Sequence, residues 1–284
     1  GKPFFCWFNA TRMHLRTHVR AEHRGRYTHG DSEYVDGMIE HDETIGSILK
    51  ALDELGIADN TIVVYSSDNG PHMNTWPDGA MTPFRSEKNT NWEGAFRVPC
   101  IVRWPGHIKP GTVTTELMSH NDWIPTFASI AGEPDIVNKL LKGYSANGKT
   151  YKVHLDGYDQ SDILLNQGKT KRKDFYYFTE TTFHGMRYGD WKLLFTKQDG
   201  WFRSTQEAMT SPYIINLKMD PFERFTEARG YDEWAENRSW ILGPAGEQIG
   251  GFIKTFKDFP PSQKSMSVQV DKVAGLIENQ PSGR

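Results

Sequence analysis

An α/β body followed by a smaller α+β unit is the fold class this sequence predicts, and three observations predict it. A long helical pattern at 31–55 passes through a short turn into a β-branched strand at 61–65, the αβ half of an α/β unit. A second strand at 98–104 and a capped helix at 120–132 extend that layer, giving a mixed sheet flanked by helices. From Phe175 the texture changes to short strands parted by Gly and Asp turns, the pattern of a short antiparallel sheet. The division is placed at 173, with 1–173 as the body and 174–284 as the smaller unit and tail.

Element by element, "PFFCWF" marks residues 3–9 as a short buried strand, followed by a polar, His- and Arg-rich loop from Ala10 to Gly30. In the first helix Val35, Met38, Ile39, Ile45, Ile48, Leu49, Leu52 and Leu55 recur at three and four, and Gly56 stops it. After Gly70 comes a loop of about 25 residues rich in Pro, Trp, Asn and Gly, a length that marks functional loops. Residues 133–173 read as loop and turn with one short helix in "DQSDILLN". "FYYFTE", "HGMRYGDWKLLF" and "YIINLKMDP" supply the antiparallel strands, and helical stretches follow near 231–241 and 244–258. The tail after Phe259 is rich in Pro and Ser before "VDKVAGLIEN".

Composition narrows the function classes. With 284 residues, 13% aromatic and nine of them Trp, there is enough bulky apolar surface to bury a core. A net charge of −3 argues against a nucleic-acid footprint, and "KTKRKD" at 169–174 reads as a solvated loop. The absence of a run of about 18 apolar residues excludes a membrane-spanning helix. Cys6 and Cys100 lie in apolar strand contexts and read as buried thiols. The chain opens at Gly1 and runs at once into a strand pattern, so an upstream segment is expected, and compartment stays open.

The chemistry concentrates in "IVVYSSDNGPH". A buried strand ends there on Asp68 and Asn69, two oxygen donors suited to Ca²⁺ or Mg²⁺ beyond the carboxyl end of a strand. The alternative is an Asx turn built on Gly70 and Pro71. Lys88, twenty residues on in "FRSEKNTNWEGAFRVP", reads either as a point charge for a sulfate or phosphate oxyanion or as a plain surface lysine. Arg85 and Arg97 are similar, one of them bracing the loop rather than binding substrate. His14 could donate to an anion or shuttle a proton; His18, His23, His29 and His41 read as loop residues. Trp76, Trp92 and Phe96 either wall an aryl or sugar group or simply pack. There is no Gly-x-Ser-x-Gly, no Gly-x-Gly-x-x-Gly after a strand and no Walker loop.

At "SSDNGP…TPFRSEKNTNWEGAFRVPCIVRWPG" the chain closely resembles the type I sulfatases (arylsulfatases) of the alkaline-phosphatase-like superfamily. "PFFCWFNATRMH", "LDGYDQSDIL", "MRYGDWKLLF" and "INLKMDPFER" continue the resemblance in order over nearly the whole chain. It implies an alkaline-phosphatase-like mixed sheet and calcium-assisted cleavage of a sulfate ester. It implies that Asp68 and Asn69 are calcium ligands, that Lys88 and His14 contact the sulfate, and that Arg85, Trp76 and Trp92 lie on the substrate side. The family's formylglycine arises from a Cys-x-Pro-x-Arg motif, which neither Cys6 nor Cys100 fits; a Ser-x-Pro-x-Arg version is also missing. The family's early Asp-Asp pair is absent as well, so nucleophile and remaining calcium ligands are expected upstream of Gly1.

Three functions follow. One is a sulfatase piece, inactive alone, whose substrate is a sulfated small molecule or carbohydrate. Another is a phosphate or phosphonate ester hydrolase on the same scaffold. The last is a non-catalytic module that self-associates or is complemented by the missing part through an exposed sheet edge.

Overall fold

The structure, a computed structural model, describes residues 2–14, 17–79, 81–179, 182–201 and 207–260. The "VDKVAGLIEN" tail lies outside the described residues. α1 (Glu33–Glu54) begins where Ser32 caps it by accepting from the Val35 amide at 3.1 Å. Leu55 and Gly56 end it, Gly56 at φ +66°, which favours glycine. A short 3₁₀ turn (Ala58–Asn60) leads into β1 (Val63–Ser66). β1 pairs antiparallel with β2 (Cys100–Arg103), Tyr65 opposite Ile101, and between them lies only one four-residue helix, α2 (Glu93–Phe96). Ser119 and Asp122 form a capping box ahead of α3 (Trp123–Ile130), as the helix start at 120 predicts.

Two expectations fail here. Residues 3–9 form no strand; Phe4, Phe5, Trp7 and Phe8 are all exposed, Trp7 by 79%. An apolar run becomes a buried strand only when another strand satisfies its backbone, and among the described residues none pairs with it. Cys6 and Cys100 are accordingly exposed rather than buried, since both depended on strand burial. The stretch 133–173 also holds more than one helix. α4 (Ile136–Lys142) is followed by the hairpin β3 (Tyr144–Ala146) and β4 (Lys149–Tyr151), then α5 (Ser161–Asn166). Asn147 and Gly148, at φ +50° and +74°, make the hairpin turn, and that Asn-Gly pair was the signal for it.

Four strands form the antiparallel sheet, in sequence order: β5 (Asp174–Thr179), β6 (Thr182–Tyr188), β7 (Trp191–Lys197) and β8 (Glu207–Asn216). Pro212 is tolerated because β8 is an edge strand and its pairing is irregular there. Both faces of this sheet are covered. On one, Met186, Leu193 and Ile214 pack against Ile241 and Ala245, the latter on α7 (Leu242–Asp258). On the other, Leu194, Ile215 and Leu217 receive Trp92, from the long loop after β1. The strand "WKLLFTK" shows no polar–apolar alternation for this reason: its two faces meet two different layers. α6 (Tyr231–Glu236) completes the unit. Among the described residues no helix is long and apolar enough to cross a membrane.

Candidate functional site

The loop after β1 is held by backbone stitches that only glycine permits. Gly70 donates to Ala95 O at 2.8 Å, Lys88 to Pro71 O at 2.8 Å, and Gly94 to Arg85 O at 2.7 Å. A Cβ on Gly70 would stand 1.7 Å from Gly94 O, so the two segments approach at a distance no side chain allows. The Asp68 and Asn69 turn and the Lys88 segment are therefore one unit. Ser67 Oγ donates to Asn69 O at 2.9 Å, and His120 Nε2 donates to Ser67 O at 2.9 Å. Asp68 is exposed, while Asn69 Nδ2 donates to Gly70 O at 2.9 Å, leaving its carbonyl oxygen as the ligand atom.

His72, two residues beyond Gly70, escaped the sequence reading. It is buried, and its Nδ1 accepts from the Asn74 amide at 2.9 Å, which puts the ring proton on Nε2. Burial pushes its pKa down; the positive charges of Lys88 and His14 push the same way and Glu87 opposes them. Lys88, His14 and His72 thus stand within electrostatic reach of one another. Trp201 packs its ring edge-on against His72, centroids 4.2 Å apart. The one local clue to His72 was its place in the "DNGPH" run.

His14 sits in a segment fastened to α1. Glu40, buried on the helix, pairs with Arg12 and with Arg20 at 2.5 Å. One turn earlier, Asp36 accepts from the Gly25 and Tyr27 amides at 2.6 and 2.7 Å. The i, i+4 spacing puts both acids on one helix face, under the polar loop.

Arg85 and Trp92 are placed differently from expectation. Trp92 has no accessible surface, and the Arg85 guanidinium lies 3.6 Å over its ring. Arg85 also donates to Glu223 O at 2.9 Å and pairs with Glu227 at 2.7 Å. Both side chains brace the loop against the antiparallel sheet, and a fully buried indole offers no face to a substrate. Trp76 follows the turn at Met73–Thr75 with its ring 60% exposed.

Beneath Trp92 lies a buried ionic cluster. Lys192 Nζ meets Glu93 Oε1 at 3.1 Å and Glu223 Oε1 at 2.7 Å; Tyr177 donates to Glu93 Oε1 at 2.8 Å. Burial alone would raise Glu93, but the Lys192 ammonium, Arg97 and the Tyr177 hydroxyl outweigh it and hold the carboxyl at about 2. This cluster fixes α2, and through Gly94 the Lys88 segment, onto the sheet.

Oxygen donors at Asp68 and Asn69 fit a hard cation in kind but supply two of the roughly six to eight ligands calcium takes. Among the described residues no group of three or more His, Cys, Asp or Glu is placed to hold a metal ion.

A strand-end turn carrying two hard donors, beside a lysine and two histidines, on helices and mixed strands, defines an alkaline-phosphatase-like fold, and known proteins agree. Residues 1–133 match the Sulfatase family model. Human arylsulfatase A is 30% identical over 244 residues, covering 79% of this chain and 44% of that protein. Mouse N-acetylgalactosamine-6-sulfatase is 29% identical over 256 residues, covering 82% and 46%. The crystal structure of PsFucS1 sulfatase from Pseudoalteromonas sp. superposes with a TM-score of 0.67 at 30% identity, covering 81% of this chain and 44% of that one. The chain belongs to the type I sulfatase family, and it spans less than half the length of these relatives.

Proposed function

We propose that this chain carries one side of the active site of a sulfuric ester hydrolase, acting on a sulfated small molecule or carbohydrate. The observation that carries the reading is the stitching of the Lys88 segment to the Asp68 and Asn69 turn, with His14 and His72 in reach. Lys88 holds the sulfate oxygens as a point charge, and His14 donates to the ester. Asp68 and Asn69 are two ligands of a Ca²⁺ or Mg²⁺ that, when bound, offsets the ester's negative charge. Sulfate rather than phosphate is favoured by relatives whose names all specify sulfatases.

The test is titration of the full chain with inorganic sulfate, with and without Ca²⁺. Lys88→Ala is expected to weaken sulfate roughly tenfold, the worth of one charge-assisted hydrogen bond. Asp68→Ala is expected to remove any calcium dependence. Sulfate binding that ignores Lys88 would sink the reading. No nitrocatechol release from its sulfate is expected, because neither Cys6 nor Cys100 sits in Cys-x-Pro-x-Arg; release would overturn a formylglycine nucleophile.

A second reading, self-association, is favoured by Phe4, Phe5, Trp7 and Phe8, a contiguous exposed apolar run. Sedimentation at a mass well above 32.5 kDa supports it, and a clean monomer counts against it.

A further inference from the structure

We propose that Trp201 selects esters whose organic part is a ring, aromatic or pyranose, by stacking on it beside Lys88. The inference rests on the anion-site reading of Lys88 above. Trp201 comes from the far side of the molecule, four residues past the end of β7, yet its indole centroid lies 5.6 Å from Lys88 Nζ. An ester whose sulfate meets that ammonium projects its alcohol part across distances of the same order. A flat, weakly solvated face at that point favours a ring over an open chain.

Its placement is built rather than incidental. The Trp201 amide donates to Glu87 Oε1 at 3.2 Å, and the other oxygen of that buried carboxylate accepts from the Met73 amide at 2.6 Å. One carboxylate thus ties Trp201 to the turn that follows His72. The residues just before it are tied to the Lys88 segment too. Gln198 Nε2 donates to Asn89 O at 3.0 Å, and Ser86 Oγ donates to Asp199 O at 2.8 Å. Trp92, a tryptophan that serves packing, is wholly buried in the same junction. Trp201 is only partly buried, at the edge where the site's cation lies.

Isothermal titration of the full chain with inorganic sulfate, ethyl sulfate, nitrocatechol sulfate and a glucose sulfate tests this. Trp201→Ala is expected to weaken the ring esters roughly threefold to tenfold, the usual worth of an aromatic contact, and to spare the other two ligands. Trp201→Leu, which keeps apolar volume for folding, is expected to match it, and Trp201→Phe to retain most affinity. Loss on only one ring ester supports the proposal and names the source of the ring, aryl or sugar. Equal loss on all four ligands makes Trp201 mere support and overturns the proposal, as does no loss on either ring ester. If the unaltered chain does not bind inorganic sulfate, the anion-site reading fails and the proposal falls with it.

Discussion

Glu223 Oε1 stands 2.7 Å from Lys192 Nζ, and neither side chain reaches solvent. Since Glu93 holds the same ammonium, two carboxylates share one buried cation. Lys192→Met keeps the volume but leaves those acids facing each other without a counter-charge. The expected cost is about 3–5 kcal/mol, read as a fall in the urea midpoint with the slope unchanged. A shift inside the ±0.5 kcal/mol typical of surface changes would mean the cluster does not hold the sheet to α2.

Acid sensitivity should arise at His184. It is buried on β6 beside Thr196, and burial pushes its pKa down to about 4 from 6.5. The unfolded chain therefore takes up the proton first as pH falls. Stability contributed by the neutral ring is complete above 6.5 and is lost between 6.5 and 4. Thermal midpoints of the unaltered chain should drop across that window, and His184→Gln should flatten the drop. An unchanged slope in the variant would assign the acid loss to other groups.

Two glycines should respond in opposite directions. A Cβ on Gly94 would lie 2.2 Å from Arg85 O and 2.4 Å from Ser86 O, both backbone atoms. Gly94→Ala must push the Lys88 segment away, at a cost of about 1–3 kcal/mol or more, with loss of sulfate affinity. Gly46, on α1, has nothing within 4 Å of its Cβ position. Gly46→Ala should stabilise by roughly 0.5–1 kcal/mol through helix propensity and leave binding unchanged.

Glu40→Gln should loosen the segment that bears His14. The amide keeps the shape but gives up the charge that both Arg12 and Arg20 contact. Faster amide hydrogen exchange is expected at residues 17–20, with α1 unchanged from 41 to 54. Exchange that stays slow at 17–20 would show that other contacts hold the loop.

Local chemistry made much of this fold legible. Ser32 and Gly56 bracket α1 in the sequence as they do in space, and the Gly189 turn between β6 and β7 is visible in "RYGDWK". The Asn147 and Gly148 turn was equally visible and was passed over, its flanking strands being only three residues each. The run at 3–9 misled because apolar content predicts burial only when something covers it. At the candidate site, Asp68, Asn69 and Lys88 stood out by residue type and motif. His72 and Trp201 carry no local pattern of their own.

By itself the sequence determined the order and type of most elements, and that a core strand ends on an acid and an amide. Those features depend on neighbours within a few residues, through caps, turns and side-chain period. Tertiary structure alone decided that Arg85 and Trp92 brace the loop, that Lys192 is buried between two acids, and that Trp201 lies beside Lys88. The partners there are far apart in the chain, Glu93 and Lys192 by 99 positions and Arg85 and Glu227 by 142. No periodicity spans such distances. Only closing the antiparallel sheet over the long loop after β1 brings them within hydrogen-bonding range.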